Sequence, residues 1–348
     1  MLQFDDTNLS KAIVHYVGNK ETESMIFLSQ NVIDTNNALL EELFLNSFTK
    51  PFKDKAEFFQ FTHSSDLQLN EVYNYATQVF KNNDVFVNIS KNIAQHLFEK
   101  TVHPKVSGGE IYIALFDNVI YEDELTSAIG IFKTENKEVF LKAEEGDTDY
   151  ILEPELGINL NKLDKGCLII NTDREKGYRV LIIDNLSKGF EAQYWKEDFL
   201  NLQPFANDYH YTKQYLSLAK DFVTKEMPKK HDTDKSEQLN ILNRSINYFK
   251  ENESFELEKF TENVLQTADV KESFMNYRAD YQVSKNFELA DDFSISDRAV
   301  KKQERAFKSI LKLDKNFHIY IHGDQELIVK GVEVDGRKFY KIYYDKEV

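Results

Sequence analysis

Gly166-Cys-Leu-Ile-Ile-Asn-Thr-Asp-Arg-Glu-Lys-Gly-Tyr-Arg-Val-Leu-Ile-Ile-Asp184 is the stretch that decides the fold class. Two short apolar runs, Cys167–Asn171 and Arg179–Asp184, flank the polar connection Asn171–Gly177. That connection is turn-like and too short for the helical crossover a parallel pair requires, so the runs read as antiparallel strands. Working outward, Glu110–Phe116, Ala128–Phe132 and Glu138–Leu141 have the same β-type pattern and extend the predicted sheet, which begins after His103-Pro104 and Ser107-Gly-Gly109. Nearer the start, Lys11–Val17 and Ser24–Leu28 are β-type runs around a turn at Gly18-Asn19. Between these groups three helical faces recur: Leu39, Leu40, Leu43, Phe44 and Phe48; Val72, Tyr73, Ala76, Val79 and Phe80; and Phe86, Ile89, Ile93 and Leu97. Residues 1–186 therefore form an α+β domain of antiparallel sheet and helices.

Residues 187–290 show no convincing strand. Tyr211, Tyr215, Leu218 and Phe222, then Leu239, Leu242, Ile246 and Phe249, then Val270, Phe274, Tyr277 and Tyr281 recur at helical spacing and predict a helical subdomain. Its charged segment Lys225–Lys235 reads as a linker, because Pro228 should stop a helix and nothing there asks to be buried. Residues 291–348 read as a short helix to about Arg305 followed by β-hairpins. Phe307–Leu313 and Phe317–Ile321 flank Asp314-Lys-Asn316, and Glu333–Tyr344 turns at Asp335-Gly336. A longer basic amphipathic helix, with Arg298, Lys301, Lys302, Arg305 and Lys312 opposite Val300, Phe307, Ile310 and Leu311, competes with this reading.

The 348 residues carry a formal charge of −16, yet the charge is uneven. Ser296–Val348 holds 12 Lys and Arg against 9 Asp and Glu, a net of +3, which leaves −19 for residues 1–295. Within Arg298–Lys315 the balance is 7 to 2. A basic stretch on an acidic chain can hold phosphates locally while the remaining surface discourages indiscriminate binding. Charge alone supports a solvated tail equally well. The phosphate-contact candidates are Arg298, Lys301, Lys302, Arg305, Lys308 and Lys312.

With 41% hydrophobic residues, 27 Phe and 18 Tyr there is ample material for a core, and 12 Gly and 5 Pro without a polar tract argue against disorder. Met1–Asp6 lacks the features of a signal peptide and no apolar run nears the ~20 residues of a membrane span, which predicts a cytoplasmic location without membrane attachment. The excess of Phe and Tyr leaves apolar surface that suits a homodimer.

The phosphate-loop, dinucleotide, zinc-protease and nucleophile-elbow motifs do not occur, and neither enzymatic activity nor a cofactor is expected. Cys167 lies in an apolar strand that silences its thiol. His318 and His322 would stand about 13 Å apart on a strand, too far to share a metal. Glu144, Glu145, Asp147 and Asp149 crowd a polar loop without the spread of a calcium loop. Trp195 could stack a base, but serves better as a packing anchor.

The order Gly157–Leu160, Tyr194–Phe199, Ala290–Arg298 and Lys312–Ile321 resembles the bacterial NdpA/YejK-type nucleoid-associated protein family. The resemblance runs along the whole chain, most strongly over about 255–345. It implies a bacterial protein of the cytoplasm and nucleoid that binds double-stranded DNA, takes part in chromosome organisation and has no established chemistry; it identifies no contact residue. Where relatives are Gly-rich, Ser309–Lys315 is not, which leaves the role of Lys312 and Lys315 open. Two functions follow as expectations: a non-enzymatic protein that contacts duplex phosphates with little base reading, or an acidic adaptor that binds a basic DNA-processing protein.

Overall fold

The runs on either side of Asn171–Gly177 pair antiparallel inside a large sheet, Arg179 opposite Ile170 and Asp184 opposite Lys165. The structure, a computed structural model, describes residues 2–348 apart from 23–24, 35–36, 186–193, 232, 234, 286, 308, 314–316, 322–327, 345 and 347–348. The chain divides into units Met1–Phe205 and Ala206–Val348.

In chain order the first unit holds β1 (Leu2–Gln3), β2 (Asn8–Val17), β3 (Ile26–Phe27), α1 (Ala38–Thr49), β4 (Phe59–Phe61), α2 (Glu71–Lys81), α3 (Phe86–Lys100), β5 (Gly109–Tyr121), β6 (Glu124–Thr134), β7 (Glu138–Glu145), β8 (Tyr150–Gly157), β9 (Lys165–Ile170), β10 (Arg179–Asp184) and β11 (Leu202–Pro204). The sheet runs β11-β4-β10-β9-β6-β5-β2-β3, with β1 on the far end of β5, and every pair is antiparallel. Alternate residues serve opposite faces. Ile111, Ile113, Ile129, Cys167, Ile169 and Val180 belong to a core shared with α2, α3 and Trp195. Tyr112, Ala114, Phe116, Leu168, Ile170 and Leu181 belong to a second core with Phe44 and Phe48 of α1. Two covered faces explain why the strands read as continuous apolar runs, a pattern more usual in parallel sheets.

Helices α2 and α3 bury the faces their spacing predicts. Asn70 starts α2: its side-chain oxygen accepts from the Tyr73 amide at 2.9 Å while Nδ2 donates to the carbonyls of Thr62 and Leu200. Two expectations fail. Along α1 the contact with the sheet is strongest in the second half, where Phe48 stacks on Phe132 at 4.1 Å; Leu40 packs against the same core only partly buried, and Leu39 and Leu43 are exposed. Glu138–Leu141 does not join the sheet either; β7 pairs with β8 in a separate ribbon.

The turn that decided the fold depends on Gly177. Its φ is +92°, and an added Cβ would stand 2.4 Å from the Phe61 carbonyl oxygen, while the Gly177 oxygen accepts from the Phe61 amide at 2.9 Å. Gly177→Ala should cost roughly 2 kcal/mol, combining the left-handed penalty with displacement of β4. Gly336→Ala, also at positive φ but in open space, should cost only about 1 kcal/mol. Equal losses in urea titrations would show that the β4 contact contributes nothing.

The second unit contains α4 (Asp208–Asp221), α5 (Lys235–Glu251), β12 (Ser254–Glu256), α6 (Ala268–Lys285), β13 (Asp292–Ser294), α7 (Asp297–Gln303), β14 (Ser309–Leu313), β15 (Phe317–Ile321), β16 (Ile328–Val332) and β17 (Lys338–Ile342). The pairs β12–β13, β14–β15 and β16–β17 are antiparallel. The core is aromatic: Tyr215 lies 4.1 Å from Phe255, which stacks on Phe293 at 4.8 Å, and Phe222, Phe249, Phe260 and Phe274 surround them. Arg278 donates to the Tyr215 hydroxyl at 3.0 Å and to the Leu289 carbonyl at 2.7 Å, tying α6 to the segment before β13.

Pro228 does not end a helix. After α4 the backbone widens into a π turn, Phe222–Glu226, and Pro228 sits in the first turn of the next helical segment, Met227–Lys230. There a missing amide is tolerated, and the wider turn spares the ring the carbonyl behind it. The expected linker is therefore helical as far as Lys230. β12 also corrects the expectation of a strandless middle segment. The hairpins expected around Asp314–Asn316 and Asp335-Gly336 are present, although 314–316 themselves lie outside the described residues.

Candidate nucleic-acid interface

Ser296 caps α7, its hydroxyl accepting from the Ala299 amide at 3.5 Å, and Ala299 and Val300 turn into the core of the second unit. Burial of that side leaves Arg298, Lys301 and Lys302 exposed together. Spaced i, i+3, i+4, their Cβ atoms lie about 5–6 Å apart, close enough to address one stretch of phosphates. Helix stability accounts for part of this arrangement, since Lys301 and Lys302 in the last turn and Asp297 in the first complement the helix dipole.

The other candidates are less fully defined. Arg305 lies in the 3₁₀ turn Glu304–Phe307 and Lys312 in β14, opposite His318, but neither side chain is among those described. Lys308 lies outside the described residues, as do the side chain of His318 and all of His322. Beside Arg298 a cleft of ≈470 Å³ is lined by Lys250, Glu251, Asn252, Glu253, Ile295, Ser296 and Asp297. Pairing of β12 with β13 brings these acids there, with the Ile295 amide donating to the Glu253 carbonyl at 2.8 Å. The acids of this cleft thus stand on the Arg298 side of α7 and not on its Lys301–Lys302 side.

A second basic surface lies on the β16–β17 hairpin. Lys338 and Lys341 are exposed beside Tyr343 and Tyr344, the exposed Arg337 is paired with Asp335 at 2.6 Å, and the Lys341 ammonium stands 4.8 Å from the centre of the Tyr343 ring. Periodicity assigns Lys338–Tyr344 only a place in a hairpin. Its signal for nucleic acid is the interleaving of cations with aromatic rings, which offers phosphate contacts and stacking faces together.

The densest group of buried charges lies instead where β6, β9 and β10 end. Lys133 contacts Glu135 at 3.0 Å and donates to the Ser107 carbonyl at 2.6 Å; burial pulls its pKa down and Glu135 opposes the shift. Lys165 pairs with Asp184 at 2.9 Å, and Asp164 accepts from the amides of Glu135 and Asn136. Clefts of ≈200 and ≈500 Å³ adjoin this group. Each of these charges has an opposite charge or an amide beside it, so the group fastens the strand ends together.

Cys167 is fully buried, and burial pushes its thiol up. Trp195 is equally buried, its ring 5.0 Å from Phe199, and presents no face to a base. Glu144 and Glu145 belong to strand β7 instead of a loop. Among the described residues no cluster of three or more His, Cys, Asp or Glu could hold a metal.

A family model described as nucleoid-associated protein YejK matches residues 13–347. The chain belongs to that family. The YejK match spans both units, so the sheet, the helical core and the basic α7 are all family territory. YejK-family membership implies association with the nucleoid, and the family is not one of enzymes. No curated protein matches the chain significantly. Among the described residues no helix is long and apolar enough to cross a membrane.

Proposed function

We propose that the protein is a non-enzymatic DNA-binding component of the cytoplasmic nucleoid that contacts duplex phosphates with little base reading. The observation that carries this is the exposed triplet Arg298, Lys301 and Lys302, fixed by burial of Ala299 and Val300 on an otherwise acidic chain. Arg305, Lys308 and Lys312 extend the basic stretch in sequence, and the Arg337–Lys341 hairpin adds cations beside stacking rings. Phosphate contacts position a protein on DNA and carry no sequence information, which suits general nucleoid association.

The test is a labelled duplex titrated between about 0.05 and 0.2 M salt, because the logarithmic slope falls by about 0.9 for each phosphate neutralised. Simultaneous Arg298→Glu, Lys301→Glu and Lys302→Glu should flatten the slope by roughly 2–3 units and weaken binding about tenfold or more, uniformly across sequences. Unchanged affinity and slope in the triple variant would sink the assignment to α7.

The acids around Arg298, with the −19 carried by residues 1–295, favour a second reading, an adaptor that reaches the nucleoid through a basic protein. The same titration separates the two. Absence of any DNA shift by the parent at low salt is the adaptor's result.

A further inference from the structure

The β7–β8 ribbon lies outside everything assigned so far. Among the described residues neither strand pairs with a third, so both outer edges keep unpaired backbone groups. The register sets Val139 opposite Leu156, Leu141 opposite Pro154, Ala143 opposite Leu152 and Glu145 opposite Tyr150. Directly opposed residues share a face, so one side of the ribbon is apolar almost to its tip. Among the described residues nothing covers it: Val139, Leu141, Leu152 and Leu156 are 70%, 66%, 57% and 73% exposed. Isolated two-stranded ribbons are marginal in water, and an exposed apolar face of this kind marks a contact surface.

Charge identifies the occupant. Residues 138–157 contain seven Asp and Glu against the single Lys142, whose ammonium is already held by Glu144 at 2.7 Å and lies 3.9 Å from Glu155. Glu145, Asp147 and Asp149 crown the tip beside the apolar face. A second copy would bring the same acidic tip and rim against this one within a Debye length of about 8 Å. A cationic chain gains from both features, and an extended one can also use the free edges.

We propose that the β7–β8 ribbon is a docking surface for a basic polypeptide segment that binds as an extended strand, its apolar side chains on the Val139–Leu156 face and its cations towards the acidic tip. This does not depend on whether α7 binds DNA.

The probe is a labelled peptide of about ten residues alternating Lys and Val, the length of a long strand, titrated into the full-length protein by fluorescence anisotropy. Leu141→Ser with Leu156→Ser should weaken binding about tenfold while leaving every charge in place, so the general attraction of an acidic protein for a cation is controlled. Glu145→Lys, Asp147→Lys and Asp149→Lys together should weaken it as much and remove most of its salt dependence, and this variant still tests the surface if the serine pair disturbs the ribbon. Equal binding by parent and both variants, or equal binding of a Glu–Val peptide, overturns the proposal. So does a parent dimer in sedimentation that the serine pair dissolves, which would give the face to a second copy. Duplex affinity of the serine variant should match the parent; its loss would make the ribbon part of a DNA surface and also overturn the proposal.

Discussion

Trp195→Ala should lower stability by about 3–5 kcal/mol, the usual cost of deleting a large aromatic ring from a closed core. Trp195 is the only tryptophan, is fully buried, and packs on Phe199 at 5.0 Å beside Cys167 and Ile169 in the core shared by the sheet and α3. Its indole N–H points to the Gly166 carbonyl at 3.4 Å, and the helical turn that carries it precedes β11, the sheet's last strand. The cavity would therefore open between β9 and the segment that closes the sheet. Because the tryptophan signal vanishes with the residue, the loss is read by circular dichroism in urea. Trp195→Phe should recover most of it. Parent-like stability in the alanine variant would refute the packing role. Duplex affinity per folded molecule should be unaffected, whereas a base-stacking role would lose DNA binding at full stability.

What the sequence makes legible here follows the range of the interactions involved. The seven-residue connection Asn171–Gly177 settles antiparallel pairing because loop length is a local quantity. The faces of α2 and α3 follow from spacing, since each helix lies along one core. Glu138–Leu141 misleads because an apolar run looks the same whether its face is covered or, as in the ribbon, open to water. Leu39 and Leu43 mislead likewise: helical spacing fixes a stripe but not how much of its length meets the sheet. β11 and β12, three residues each, are too short to carry a period. At the candidate interface the helical wheel places Arg298, Lys301 and Lys302 on one side, while Glu251 and Glu253 beside Arg298 come from the pairing of β12 with β13 across sequence separations of 36 to 40, roughly the scale at which local pattern says nothing.

Acid should weaken the first unit through His15. The imidazole is 1% exposed on β2, accepts from the Ser29 amide at Nδ1 (3.0 Å) and faces the Ser90 hydroxyl at Nε2 (2.9 Å), while Ser90 donates onward to the Val87 carbonyl at 2.8 Å. With the serine proton committed to Val87, Nε2 carries the imidazole hydrogen, so the ring is neutral with its one acceptor in use. Burial, helped by the nearby Lys91 ammonium, lowers its pKa from 6.5 to about 4. A base with a depressed folded pKa binds its proton more readily when unfolded. Its contribution is therefore complete above pH 6.5 and is lost as pH falls from 6.5 through about 4. The loss integrates to about 3 kcal/mol, with a slope near 1.4 kcal/mol per pH unit inside the window. His96, also shifted down by burial, adds to the same trend, so the decisive measurement is a difference. His15→Gln should be less stable than the parent at neutral pH, because the Ser29 amide and Ser90 hydroxyl lose their shaped partner. The gap should narrow steadily between pH 6.5 and about 4, because glutamine has no proton to take up. Parallel stability profiles for parent and variant across that window would mean that the imidazole is not held neutral by the fold.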